Sequence, residues 1–219
     1  MVGSAQMKLY ARRSSSNSQK VLWFLGELEL EYEFIDTGGA AGGLDAPEYL
    51  AMNPNGTVPL ILDDDLPVWE SHSILRYLAA TYGAKKYWPQ DPVARSRMDR
   101  WMDWSQAQFD AAFMGLFWGY YRTPQERRNA AENQRRVSQC QRLTHILDGQ
   151  LSEFDYVAGN ELTLADIPAG ALMYRYVHLD VTGDLPENVA AWYERLSERV
   201  AFQDHIMRPF DELKGRLAY

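Results

Sequence analysis

A single cysteine, Cys140, in 219 residues leaves no partner for an internal disulfide and no C-x-x-C pair for dithiol chemistry. The histidines, His72, His145, His178 and His205, stand far apart without zinc-ligand spacing, so no metal site is expected. Basic charge is in deficit. With 22 Lys and Arg against 30 Asp and Glu, the formal charge of -8 repels phosphate backbones and anionic lipid, and nucleic acid is not an expected partner. No apolar run approaches the roughly 20 residues that span a bilayer. The opening Met1-Val2-Gly3-Ser4-Ala5-Gln6 lacks the basic start and apolar stretch of a secretory signal. Together these absences predict a soluble cytoplasmic protein with no membrane contact.

What is present suits a folded chain. An apolar fraction of 46% with 24% charged residues excludes a collagenous or disordered polymer, and the length has room for one or two domains.

The first part mixes periods. Lys8-Leu9-Tyr10-Ala11 is a strand candidate, Val21, Leu22, Leu25 and Leu28 recur at helical spacing, and Glu31-Tyr32-Glu33-Phe34-Ile35 alternates like a half-buried strand. Strand, helix and strand within so short a span predict a right-handed βαβ unit with parallel strands. Val58-Pro59-Leu60-Ile61-Leu62 and Leu66-Pro67-Val68-Trp69 flank three aspartates as an antiparallel hairpin, with Pro67 placing its strand at a sheet edge. From Ser71 a helix carries Ile74, Leu75, Leu78, Ala79 and Tyr82 on one face, with Gly83 as its stop. The order matches a thioredoxin-like α/β sheet.

Beyond Tyr87-Trp88-Pro89 the chain reads as all-α. Asp91 and Pro92 start a helix whose buried face is expected to carry Met98, Trp101, Ser105, Phe109, Ala112 and Phe117. Gly115 and Gly119 are expected to loosen its end. Thr123-Pro124-Gln125-Glu126 has capping-box spacing for a second helix, and Thr163-Leu164-Ala165-Asp166 starts a third, with Leu162 and Ile167 as a hydrophobic staple. Cys140 reads as a small buried residue.

Three segments of the first part hold polar groups where chemistry is possible. Arg12-Arg13-Ser14-Ser15-Ser16-Asn17-Ser18 lies at a helix start, where unpaired N–H groups favour anions; capping by Ser16 or Asn17 is the purely structural alternative. Thr57-Val58-Pro59 can hold a cis bond and offer backbone groups to an extended peptide. Glu70-Ser71 opens another helix and can receive an ammonium and a carboxylate, or simply cap it. The glycine run after Thr37 lacks the spacing of a phosphate or dinucleotide loop.

Taken in order, Ser15-x-Asn17-x-x-Lys20-Val21, Asn53-Pro54-x-Gly56-x-Val58-Pro59, Glu70-Ser71 and Leu162-Thr163-Leu164-Ala165-Asp166 resemble the glutathione S-transferase superfamily in its bacterial theta-like and nu-like branches, over nearly the whole chain. The resemblance implies a thioredoxin-like glutathione-binding domain at 1–83 and an all-helical domain at 91–219. It implies glutathione as co-substrate, no metal, and a homodimer with Trp101-Met102-Asp103-Trp104 at an interface edge. Ser15 falls where the family keeps the hydroxyl or thiol that contacts the glutathione sulfur, and Asn17 matches the second polar contact of nu-like members. A shift of one residue in the turn would hand the first role to Ser14 or Ser16. Val58 corresponds to the residue whose backbone pairs with the cysteinyl unit, Pro59 to the cis-proline, and Glu70 with Ser71 to the γ-glutamyl grip. Thr57 stands where many relatives carry a basic residue, which leaves Arg12, Arg13 or the Gly-rich loop to meet the glycine carboxylate.

The implied chemistry is conjugation of glutathione to a small hydrophobic electrophile, with Phe113, Phe117, Trp118 and Tyr121 as candidate walls of the apolar pocket. Glutathione-dependent disulfide or peroxide reduction is the second enzymatic possibility. A non-catalytic glutathione-binding or carrier protein is the rival outside catalysis.

Overall fold

The computed structural model describes residues 7–218, and the N-terminal stretch in which a signal was sought lies outside them. The chain divides into two compact units, with the boundary between Trp88 and Pro89.

The first unit runs β1 (Lys8–Ala11), α1 (Ser16–Glu27), β2 (Glu33–Asp36), α2 (Pro47–Met52), β3 (Leu60–Asp63), β4 (Leu66–Trp69) and α3 (Ser71–Thr81). Its sheet has the order β2-β1-β3-β4. Leu9 faces Phe34 across the parallel β1/β2 pair, and Ile61 faces Leu9 and Val68 across the antiparallel ones. A parallel pair needs a crossover, and α1 supplies it. Leu9, Ala11, Leu60 and Ile61 are sealed with Val21, Leu22, Leu25, Ile74, Leu75 and Leu78, as α1 packs on α3.

Strand β2 begins two residues later than alternation predicts. The Leu30 N–H still donates to Leu25 O, and the ladder opens only where the Glu33 N–H reaches Met7 O at 2.8 Å. β3 likewise starts at Leu60, because Pro59 has no N–H to give a ladder. Pro67 sits on the edge strand opposite Leu62. Gly83 ends α3 by close approach: a Cβ there would lie 2.5 Å from Ala79 O.

The second unit opens with one helical rod. α4 (Pro92–Trp104) passes through a π turn at Ser105–Asp110 into α5 (Ala111–Leu116), and a second π turn spans Phe117–Arg122. Asp91 caps it, accepting from the Ala94 N–H at 2.9 Å. Then come α6 (Ala130–Leu151), α7 (Asp166–Val177), α8 (Glu187–Ser197) and α9 (Val200–His205).

Two local expectations fail. Thr123 does not start a helix; its hydroxyl donates to Trp118 O and closes the rod, while Asn129 caps α6 by accepting from the Glu132 N–H at 3.0 Å. The Thr123 hydroxyl is committed to the turn behind it, and only a short 3-10 turn, Gln125–Arg127, follows Pro124, so the spacing alone misleads. Gly119 does not loosen the rod but lets α6 approach it. A Cβ there would sit 2.6 Å from Asn133 Oδ1, whose amide donates to Gly119 O, and Arg136 donates to Gly115 O alongside.

Aromatic rings fill the space between rod and bundle. Phe113 and Phe117 are fully buried, each about 5.9 Å from a further ring, Tyr176 and Phe210 respectively. Cys140 is buried too, and burial pushes its thiol up to about 12.

Candidate functional site

The site of the first unit is built from two helix starts and one loop. Ser15, not Ser16 or Asn17, is the N-cap of α1. Its backbone is extended, and its Oγ accepts the Ser18 N–H at 3.3 Å. Acceptance of that bond leaves the hydroxyl proton uncommitted. Ser15 is half-buried and Asn17 exposed, so both can meet a ligand.

Asn17 ties α1 to α3. Its Oδ1 accepts from Ser71 Oγ at 3.4 Å and from Lys20 Nζ at 3.0 Å. Among the described residues its amide nitrogen has no protein partner. Ser71 is the first residue of α3, so two helix N-termini, each carrying positive dipole, open side by side. Glu70 stands just before it, exposed, at φ 67 and ψ 120. A non-glycine residue there is strained by about 1–3 kcal/mol, and such strain concentrates where a side chain must be aimed.

The loop before β3 is pinned from behind. Thr57 O accepts from the Tyr49 hydroxyl at 2.6 Å and from Asn53 Nδ2 at 2.8 Å. The Val58–Pro59 bond is cis. Val58 lies outside the ladder, which begins at Leu60, so β3 does not consume its backbone groups. Arg13, a candidate partner for a carboxylate, lies over the Phe34 ring at 4.2 Å.

Beneath the two helix starts lies His72, buried with neither ring nitrogen partnered. Burial first, and the charges of Lys20 and Arg76 next, lower its imidazole to about 3. It is a neutral ring at any physiological pH.

The aromatic candidates belong to the second unit and are not equivalent. Phe113 and Phe117 are core residues, and Trp118 is covered by the Arg122 guanidinium 4.0 Å from its ring. Tyr121 stacks on Phe117 at 5.2 Å, four residues back on the same helix face. Of the four, Tyr121 lines a cavity of about 620 Å³, with Tyr120, Arg128, His178, Asp180 and Lys214 among its walls. That lining is largely polar, unlike the apolar pocket expected.

The polar loop and helix starts were legible in the sequence, whereas the groups that hold them were less so. Tyr49 escaped, because nothing local pairs a tyrosine with a carbonyl eight residues on. Lys20 left a signal, a lysine abutting the apolar run of α1.

Residues 5–80 match the N-terminal domain of glutathione S-transferases, and residues 109–199 match the C-terminal domain. The chain belongs to the glutathione S-transferase family. It is 39% identical over 203 residues to glutathione S-transferase GstB of Escherichia coli, covering 92% of this chain and 98% of that protein. Glutathione S-transferase 1 of Manduca sexta is 30% identical over 203 residues, covering 88% of each. A theta class glutathione S-transferase from Xanthomonas axonopodis pv. citri, solved with glutathione bound, superposes with a TM-score of 0.87 at 40% identity, over 93% of this chain and 98% of that one. The sheet-and-helix first unit and the helical second unit are those of the glutathione S-transferase fold, and the chain is a transferase enzyme of that family. Among the described residues no cluster of His, Cys, Asp or Glu could hold a metal ion, and no helix is long and apolar enough to cross a membrane.

Proposed function

We propose that this glutathione S-transferase binds glutathione at the paired helix starts of its first unit and stabilises the thiolate with the Ser15 hydroxyl and the Asn17 amide. The observation that carries the reading is the Ser71–Asn17 contact, which joins two helix N-termini while leaving the Ser15 O–H and Asn17 N–H groups unconsumed by the protein. Glutathione in the Xanthomonas relative supports the choice of ligand. Val58 offers backbone groups to the cysteinyl unit beside the Thr57 carbonyl clamp and Pro59. Glu70 and Ser71 take the γ-glutamyl ammonium and carboxylate.

A free thiol with pKa near 8.5 is only a few per cent ionised at neutral pH. Donated hydrogen bonds and helix dipoles favour the charged form, and a shift of about 2 units equals about 2.7 kcal/mol of preferential stabilisation. Serine is then a donor rather than a nucleophile: the bound sulfur attacks the electrophile and expels its leaving group. The second substrate is a small electrophile with an apolar body, for which Tyr121 supplies aromatic surface and Phe113, Phe117 and Trp118 its backing. The assembly proposed is a homodimer.

The test is the double variant Ser15→Ala, Asn17→Ala, followed by ultraviolet titration of bound glutathione and by turnover of an activated aryl halide. The bound thiol should titrate about 2 units higher, with turnover at pH 7 falling about 25-fold as the ionised fraction drops. Unchanged titration and turnover would overturn the assignment.

A further inference from the structure

Lysine is almost never fully buried unless its ammonium is paired, and Lys20 is 0% exposed, one turn into α1. Its Nζ donates to Asn17 Oδ1 at 3.0 Å. An ammonium has donors only, so the end of the amide that it meets must be the oxygen. Ser71 Oγ donates to the same oxygen at 3.4 Å, and a hydroxyl agrees with either end. The lysine therefore decides the amide's orientation. With the oxygen held inward, both hydrogens on Asn17 Nδ2 are turned away from Lys20 and toward solvent on an exposed residue.

We infer that Lys20 is a positioning residue for the transferase reaction: it holds Asn17 with its amide hydrogens presented to the glutathione sulfur. The inference rests on the reading of Asn17 as a sulfur contact.

Lys20→Met keeps the length and apolar stem while removing the donor and the charge. Lys20→Gln keeps a donor to the Asn17 oxygen without the charge. Three readouts apply to each: the titration midpoint of bound glutathione, the kcat and KM of turnover, and calorimetric affinity for S-methylglutathione, which has no ionisable thiol. Lys20→Met should raise the thiol midpoint by about one unit and lower kcat at pH 7 about threefold, while affinity for the S-methyl analogue is nearly unchanged. Lys20→Gln, which also serves if the methionine variant fails to fold, should shift the midpoint by about half as much. In the double variant with Asn17→Ala, loss of Lys20 should add little, because both act on one amide.

An unchanged midpoint in both lysine variants, with a shifted one in Asn17→Ala, overturns the inference and leaves the Asn17 reading standing. No shift in Asn17→Ala overturns that reading, and the inference falls with it. If Lys20→Gln shifts the midpoint as far as Lys20→Met, or if the losses multiply in the double variant, the orienting role is overturned.

Discussion

Helices α1 and α7 both start beside a hydroxyl residue with a polar partner close by, the hydroxyl being the N-cap itself at α1 and lying two residues before the Ala165 cap at α7, and they use them to opposite ends. At α7 everything is spent inside the protein. Thr163 Oγ1 accepts from the Ala165 N–H and donates to Asp166, and the Asp166 carboxylate accepts from the Val157 N–H, the Thr163 N–H and Trp192 Nε1. Asp166 is fully buried, and burial raises its carboxyl to about 6 despite those bonds. At α1 the Ser15 Oγ accepts a single N–H, Asn17 is exposed, and the remaining donors face outward. Residue type is nearly the same in the two places. Burial and the count of uncommitted donors separate a structural cap from a binding site.

The sharpest way to break the comparison is at the closed end. Asp166→Ala strands two buried backbone N–H groups and an indole N–H, and should cost about 3 kcal/mol in urea unfolding. A milder change there tests the electrostatics. A carboxyl at about 6 when folded and near 4 when unfolded keeps its proton in the fold across that interval, so its contribution to stability falls as pH rises from about 4 to about 6. Asp166→Asn has no proton to lose and should flatten that part of the stability profile.

At the open end the large effect is on activity. Aspartate caps helices as well as serine, so Ser15→Asp should leave the melting temperature nearly unchanged while its charge repels the thiolate. Turnover should fall about 100-fold, about 2.7 kcal/mol in the barrier. Glu70→Gly should stabilise the first unit by about 1 kcal/mol by relieving its positive φ, while weakening glutathione binding measured by calorimetry. The smallest effect is expected at Thr163→Ala, which loses the hydroxyl's bonds to the Ala165 N–H and to Asp166, about 1 kcal/mol in unfolding with the bound-thiol titration unmoved. A shift in that titration would mean that the two helix starts are not independent.

The fold was legible wherever one local rule acted alone. Alternation and helical spacing located the sheet, Pro67 its edge, and Asp91-Pro92 the rod's beginning. Reading failed where a distant neighbour decided the outcome. Gly119 looks like a weak point until α6 is packed against it, and Thr123 looks like a cap until its hydroxyl is found spent on Trp118 O, a full turn back. At the site, the polar residues could be picked out because hydroxyls and amides at helix starts announce unpaired N–H groups. The orientation of Asn17 could not, since it depends on a lysine from the next turn and a serine 54 residues away.

The two π turns of the rod also bear on how this family's chains change in length. A π turn is an α-helix carrying one surplus residue, accommodated as a local bulge so that the flanks keep their facing. Deleting one residue within 105–110 or 117–122 should therefore be absorbed as a return to regular winding. The same deletion within 92–104 would spin every later side chain by about 100° and scatter the aromatic stack. The rod thus contains two built-in expansion joints, and lineages that gain or lose a residue there need not rebuild the interior.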